Sequence, residues 1–221
     1  MREFLRRRAA GYKAYYENMP LRPSSMPQGP DMRLYRRINY GDLAQFSVLD
    51  TRQYRTDQPC GDGFKERCAR ALSDRQTMTG PGQERWLKEG MCRSRARWNV
   101  AAQQTMLAEY DFRAGPMESF NMDQWDGYVA ARNRLIGFFD RAKVRNPITL
   151  TGDIHSAWVH DLKTDFSDEN SNRRHRVRRH LDHLLVPRGL YPRGRGLTAR
   201  LPAHEVLRRR EPRLHEVRPE P

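Results

Sequence analysis

The stretch Ile148-Thr149-Leu150-Thr151-Gly152-Asp153-Ile154-His155 sets a carboxylate and an imidazole two residues apart at the end of a short apolar run. The glycine before Asp153 lets the backbone turn sharply. With such a turn, Asp153 and His155 reach one cation: aspartate offers a hard oxygen, histidine a nitrogen suited to iron or zinc. The alternative is a capped turn with a hydrogen-bonded Asp153 and a surface His155. Arg52, in Asp50-Thr51-Arg52-Gln53-Tyr54-Arg55, is the candidate substrate-binding residue, because a guanidinium grips phosphate oxygens in pairs. Its alternative is a structural pair with Asp50 or another acid. Trp98-Asn99 and Trp125-Asp126 are candidates for a pocket wall, although aromatic residues at such spacing more often build a core. His160 reads as an ordinary polar residue.

Cys60 and Cys68 flank the short segment CGDGFKERC and are close enough to bridge. A bridge implies an oxidising compartment; two free thiols are the alternative. Cys92 is left unpaired either way, and no C-x-x-C or His/Cys zinc pattern is present.

These candidates need elements to position them. Apolar residues spaced at threes and fours predict a helix over 3–17, and three prolines within residues 21–32 break it. Two short strands follow around a Gly41-Asp42 turn, the second, Leu43–Asp50, expected to be largely buried. Residues 51–82 read as a long polar loop, a kind that is often functional. A short helix starts at Gly82, and a strand or buried segment lies at Trp98–Val100. Tyr128, Ala131, Leu135, Phe138 and Phe139 make an apolar helical stripe within 124–142, and Pro147–Thr151 is a buried-type strand. Alternating helices and strands predict an α/β (α+β layered) domain. Asp153 and His155 then fall at the strand's C-terminal edge, where open α/β sheets place ligands.

Composition narrows the classes. Mean hydropathy is −0.95 and 37% of residues are hydrophobic, so the expected core is lean. No apolar run reaches membrane-spanning length. The N-terminus is basic without an apolar stretch, so it is not read as a signal peptide. The formal charge of +14 points first to nucleic acid or an anionic surface. Its distribution does not. Residues 173–221 hold 14 arginines and no lysine against five acids, nine of the net positive charges. The basicity belongs mainly to that tail, and nucleic acid is not the expected partner. The competing reading is a non-catalytic basic protein that holds polyanions through the tail.

Longer blocks carry a resemblance. QFSVLDTRQYRTDQPCGDG, QTMTGPGQERWLKEG, RARWNVAAQQTMLAEYDF, FNMDQWDGYVAARNRL and NPITLTGDIHSAWVHDL resemble, in order, successive blocks of the alkaline phosphatase D (PhoD-like) family, from about Arg6 to Asn170. The resemblance implies part of a calcineurin-like metallophosphoesterase sandwich, incomplete at both ends. It implies hydrolysis of phosphate monoesters and diesters at a cluster of iron and calcium. Asp153 then corresponds to a metal ligand, and His155 to a ligand or to a residue holding one. It also implies export, with a twin-arginine signal upstream. The family's N-terminal half supplies most metal ligands, so residues 1–171 are expected to be its C-terminal part and inactive alone.

The tail departs from the family. One permitted codon choice for residues 173–187, read one base later, spells Val-Ala-Thr-Glu-Phe-Val-Gly-Thr-Ser-Ile-Thr-Ser-Ser-Phe. Another for residues 204–215, in the same shifted frame, spells Thr-Lys-Phe-Phe-Asp-Gly-Glu-Asn-Arg-Gly-Tyr. Both resemble family text. Residues 172–221 are therefore expected to be a frameshift product without order.

Overall fold

Arg2–Asn18 forms helix α1, yet none of its residues is buried. The helix is tethered rather than packed: Tyr12 and Arg8 donate to Gln53 Oε1 at 2.7 and 3.0 Å. The computed structural model describes residues 2–113, 116–153 and 158–166, and the backbone of Arg176–Asp182.

After the proline-rich break come strands β1 (Arg36–Tyr40) and β2 (Ala44–Val48), antiparallel, with Ile38 opposite Phe46. Gly41 makes the turn at φ +52°, a conformation glycine adopts without a side-chain penalty. The expected polar loop contains three small elements: a 3₁₀ turn at Pro59–Gly61, the two-residue β3 (Phe64–Lys65) and the one-turn α2 (Ala69–Leu72). Helix α3 (Gly80–Cys92) opens two residues before the expected Gly82. Strand β4 (Trp98–Ala102) follows, then β5 (Phe120–Asn121), which pairs with β3.

The helix expected over 124–142 begins later. Trp125–Gly127 is a 3₁₀ turn, and α4 runs Val129–Arg141. A Cβ on Gly127 would stand 2.5 Å from the Met122 carbonyl oxygen, so the chain passes too close to itself there for a side chain. Strands β6 (Pro147–Leu150) and β7 (Trp158–Lys163) follow, and β8 (Arg176–Asp182) pairs antiparallel with β7. That strand lies in the tail expected to lack order. The difference concerns the backbone of these seven residues, whose ladder hydrogen bonds β7 supplies.

The main sheet has the order β1-β2-β4-β6, with β2, β4 and β6 parallel. Repeated right-handed crossovers advancing one way across a sheet put their helices on one face. The contacts agree. Gln45 donates to the Gly90 carbonyl of α3 and Arg37 to that of Trp86. Leu49 and Ala101 share a core with Leu87 and Met91 of α3 and Leu135, Ile136 and Phe139 of α4. A Cβ on Gly90 would fall 1.7 Å from the Arg37 guanidinium, so only glycine admits that arginine beneath α3. The mixed α/β layering expected from the sequence is therefore present as one sheet with helices on one face. Two two-stranded sheets, β3–β5 and β7–β8, lie beside it among the described residues, with β8 packed against β6.

Candidate functional site

The parallel strands end together, and the loops after β2 and β6 meet there. Asp50, next to buried Leu49, sets the first loop. Its Oδ1 accepts from the backbone N–H of Arg52 and of Gln53, both at 2.9 Å. Gln83 of α3 holds the Asp50 backbone from both sides, accepting from its N–H at 2.8 Å and donating to its carbonyl at 2.9 Å. Gln104, beyond β4, accepts from the Thr51 N–H and hydroxyl at 2.8 and 2.7 Å. Asp50 and Thr51 are thus fully tied, which fixes the direction in which Arg52 leaves the sheet.

Arg52 reaches two carboxylates. Its Nη1 donates to Asp123 Oδ2 at 2.7 Å and its Nη2 to Asp153 Oδ2 at 2.5 Å. Asp153 follows Gly152 at the end of β6 with φ +68°, the left-handed region that non-glycine residues rarely occupy. Asp123 also accepts from Arg55 Nη1 at 2.6 Å and from Gln58 Nε2. Burial by itself raises the Asp123 carboxyl, but hydrogen bonds and charge from Arg52 and Arg55 outweigh it and hold it below its ordinary value. Burial lowers the Arg52 guanidinium, and Asp123 and Asp153 more than reverse that. Arg52 therefore stays a cation fixed between two anions.

A second charged cluster lies deeper. Asp126 and Arg132 are 0% and 2% exposed. Asp126 Oδ1 accepts from Arg132 at 2.6 Å and from Arg67 at 2.7 Å, while Glu109 takes the second nitrogen of Arg132 at 2.7 Å and Arg67 at 2.8 Å. Burial pushes the Asp126 carboxyl up to about 6, against the pull of both guanidiniums. Trp125 donates its Nε1–H to Gln103. This cluster fixes the 3₁₀ turn that follows Asp123.

The sequence candidates sort as follows. Asp153 and Arg52 come together at the strand ends. His155 lies outside the described residues. The acid that Arg52 pairs with is Asp123 as well as Asp153, and its side chain makes no bond to Asp50. Cys60 and Cys68 are bridged with Cα atoms 5.7 Å apart, and Cys92 is free and exposed. Trp125 and Asp126 are core. Asn99 is buried and donates to the Arg145 carbonyl at 2.7 Å, but Trp98 is 39% exposed rather than core. Strand alternation turns it away from the helices. His160 is buried and stacks on Trp158. Asp123 and Arg55, which join this cluster, carry no local signal in the sequence. They lie 71 and 3 residues from Arg52 in the chain, and no spacing rule connects them.

Among the described residues no group of three or more His, Cys, Asp or Glu side chains could hold a metal ion. Asp153 and Asp123 are each engaged by arginine. The described donor set alone does not fit a multinuclear iron–calcium centre.

Comparison with known proteins gives a consistent picture. Residues 1–177 match the PhoD-like phosphatase family. Alkaline phosphatase D of Bacillus subtilis (strain 168) is 48% identical over 168 residues, covering 76% of this chain and 29% of that protein. A solved structure of PhoD superposes with a TM-score of 0.76 at 45% identity, covering 81% of this chain and 34% of that one. The chain thus spans about a third of the length of these relatives.

Proposed function

We propose that this chain, which belongs to the PhoD-like phosphatase family, forms one wall of a site that hydrolyses phosphate monoesters and diesters. The observation that supports this most is Arg52 held at the sheet's C-terminal edge between Asp123 and Asp153. Two of its five N–H groups serve those carboxylates, which leaves three for phosphate oxygens. Because both anions are anchored to separate loops, the guanidinium is aimed before substrate arrives. A preset cation loses nothing to reorganisation as charge builds on the phosphoryl oxygens. Asp153 keeps half of its side chain open to solvent, so it borders the same space.

Calcium and iron are the cofactors the family resemblance implies. Asp153, with His155, is the candidate contribution of this chain to such a centre, whose other ligands come from outside the matched stretch. The chain by itself is therefore inactive in this reading. The tail beyond residue 171 remains our frameshift proposal, and resequencing the gene tests it: an intact single frame through codons 172–221 in independent isolates removes it.

The catalytic reading is tested by a chimera in which the matched stretch of the Bacillus subtilis relative is replaced by the matching residues of this chain. The expected result is hydrolysis of p-nitrophenyl phosphate or its diester with calcium and iron, with iron present by metal analysis. Arg52→Ala in the chimera should lower kcat/KM by about a hundredfold. A folded, metal-loaded chimera with no turnover would sink the proposal. Turnover by the isolated 221-residue chain would overturn its expected inactivity.

A further inference from the structure

Arginines gather where the edge strand β1 meets helix α3. Arg22, Arg33, Arg36 and Arg37 line one cavity of about 210 Å³ with Tyr35, Trp86 and two serines, and none of the described residues lining it is an acid. The chain builds it locally. Arg22 precedes Pro23 and is extended, at φ −75° and ψ 154°, as residues before proline are. The 3₁₀ turn Pro23–Ser25 then puts Ser24 and Ser25 beside the cavity. Strand β1 is the outer strand of the main sheet. Neighbours along a strand point to opposite faces, and at an open edge the long side chains of both Arg36 and Arg37 reach the same space.

Rings and carbonyls hold these guanidiniums, not carboxylates. Arg33 lies over the Tyr35 ring at 4.5 Å and Arg37 over the Trp86 ring at 4.3 Å, and the two rings meet edge-on at 4.9 Å. Arg37 Nη2 donates to the Trp86 carbonyl at 2.9 Å and Arg36 Nη1 to the Leu34 carbonyl at 3.0 Å. No ion pair involves any of the four among the described residues. A ring positions a guanidinium without cancelling its charge or using its N–H groups. Burial holds Arg37 below its ordinary value and no carboxylate reverses it, whereas Asp123 and Asp153 raise Arg52. Asp31 lines a neighbouring cavity that shares Ser24 and Arg33, but not this one. Four cations thus share a small space without a counter-charge, an unfavourable state that a bound anion relieves.

We propose that this cavity binds a compact, multiply charged phosphate anion, of the pyrophosphate or tripolyphosphate kind, separately from the Arg52 cluster. Charge selects the class. Four guanidiniums exceed what one carboxylate neutralises, while each phosphate group brings about −1.5 to −2 charges and several strong acceptor oxygens. Guanidiniums grip such oxygens in pairs. Size selects a compact ligand, since about 210 Å³ is the liquid volume of roughly seven waters. The rings argue against a nucleotide base, because each already holds an arginine on its face and the other ring beside it. The inference does not rest on the catalytic reading.

The test is calorimetric titration of the full 221-residue chain with inorganic phosphate, pyrophosphate and tripolyphosphate at about 0.15 M salt, where diffuse attraction is screened. It is repeated on Arg52→Ala, which removes the phosphate contact proposed above and so reads the two sites apart. The expected result is a saturable site that survives Arg52→Ala and tightens from phosphate to tripolyphosphate. Arg22→Gln with Arg33→Gln changes two exposed side chains and should leave circular dichroism unchanged. It should weaken tripolyphosphate binding roughly tenfold or more. Arg2→Gln with Arg6→Gln removes the same charge from exposed positions on α1 and should change affinity by less than about twofold. Equal weakening by the two pairs would reveal only diffuse attraction to a basic chain and overturns the proposal. So does the absence of a saturable site in Arg52→Ala, or tighter binding of duplex DNA than of tripolyphosphate. A site that survives Arg52→Ala, beside a folded chimera without turnover, keeps this proposal and sinks the catalytic reading instead.

Discussion

Two charged clusters, built from the same residue types, stand on either side of the segment 121–128. The rim cluster joins Arg52 and Arg55 to Asp123 and Asp153; the buried one joins Arg67 and Arg132 to Asp126 and Glu109. Their settings differ. Arg52 and Asp153 keep 39% and 51% of their side chains exposed, whereas Arg132 and Asp126 keep 2% and 0%. Water competes for the rim pairs and weakens them, so they can rearrange around a ligand. Shut off from water, Asp126 and Arg132 depend on each other and on Arg67 and Glu109, and losing Asp126 strands Arg132. Similar chemistry thus serves binding at the edge and structure in the interior.

The sharpest way to break this comparison is to delete one carboxylate from each cluster. Asp126→Ala leaves Arg132 and Arg67 each short of one acceptor, and removes the acceptor of the Tyr110 N–H. It should cost about 3–5 kcal/mol in urea unfolding. Asp123→Ala should cost only about 0–1 kcal/mol, since its partners turn to solvent. Equal losses from the two substitutions would show that the rim is structural and would remove the contrast. The Cys60–Cys68 bridge comes next, because it holds a donor for each cluster nearby, Gln58 for Asp123 and Arg67 for Asp126. Replacing both cysteines by serine should cost about 2–3 kcal/mol for a loop this short. A loss that vanishes in the Asp126→Ala background would place the bridge's effect in the buried cluster.

How much of this was legible in the residues follows from what fixed each element. The strand Pro147–Leu150 and its turn at Gly152-Asp153 are local, set by an apolar run ending in glycine, and they stand where the pattern put them. The same holds for α1 and the β1–β2 hairpin. Long-range features were not legible. Arg52 meets Asp153 across 101 residues and Asp123 across 71, and only the parallel pairing of β2, β4 and β6 brings those loops together. The late start of α4 depends on a close approach of Gly127 to Met122, which periodicity does not report. An aromatic residue at Trp98 favours core over a pocket wall, but its neighbour Asn99 takes the inward position and alternation sends Trp98 out. Strands β3 and β5, two residues each, are too short to leave a pattern.

Arg52→Ala sharpens the comparison from the other side, since it should change stability by less than about 1 kcal/mol while removing the proposed phosphate contact. A large loss in the urea midpoint would move Arg52 into the structural class.

The smallest expected effect is a pair of titrations with opposite sign. Asp126 is raised from 3.8 to about 6 by burial, so the folded state binds its proton more tightly than the unfolded chain does. Stability from this group is therefore present below pH 3.8 and falls as pH rises through about 6. Asp123 is lowered from 3.8, burial being outweighed by Arg52 and Arg55. Its contribution is present above that value and is lost as pH falls through its folded pKa. Carboxyl carbon NMR of the two aspartates should give midpoints on opposite sides of 3.8. Arg52→Ala should move the Asp123 midpoint upward and leave that of Asp126 in place, because the guanidinium contacts only the rim. Coincident shifts in both carboxyls would mean that the two clusters titrate as one network, and exposure would then no longer explain why they differ.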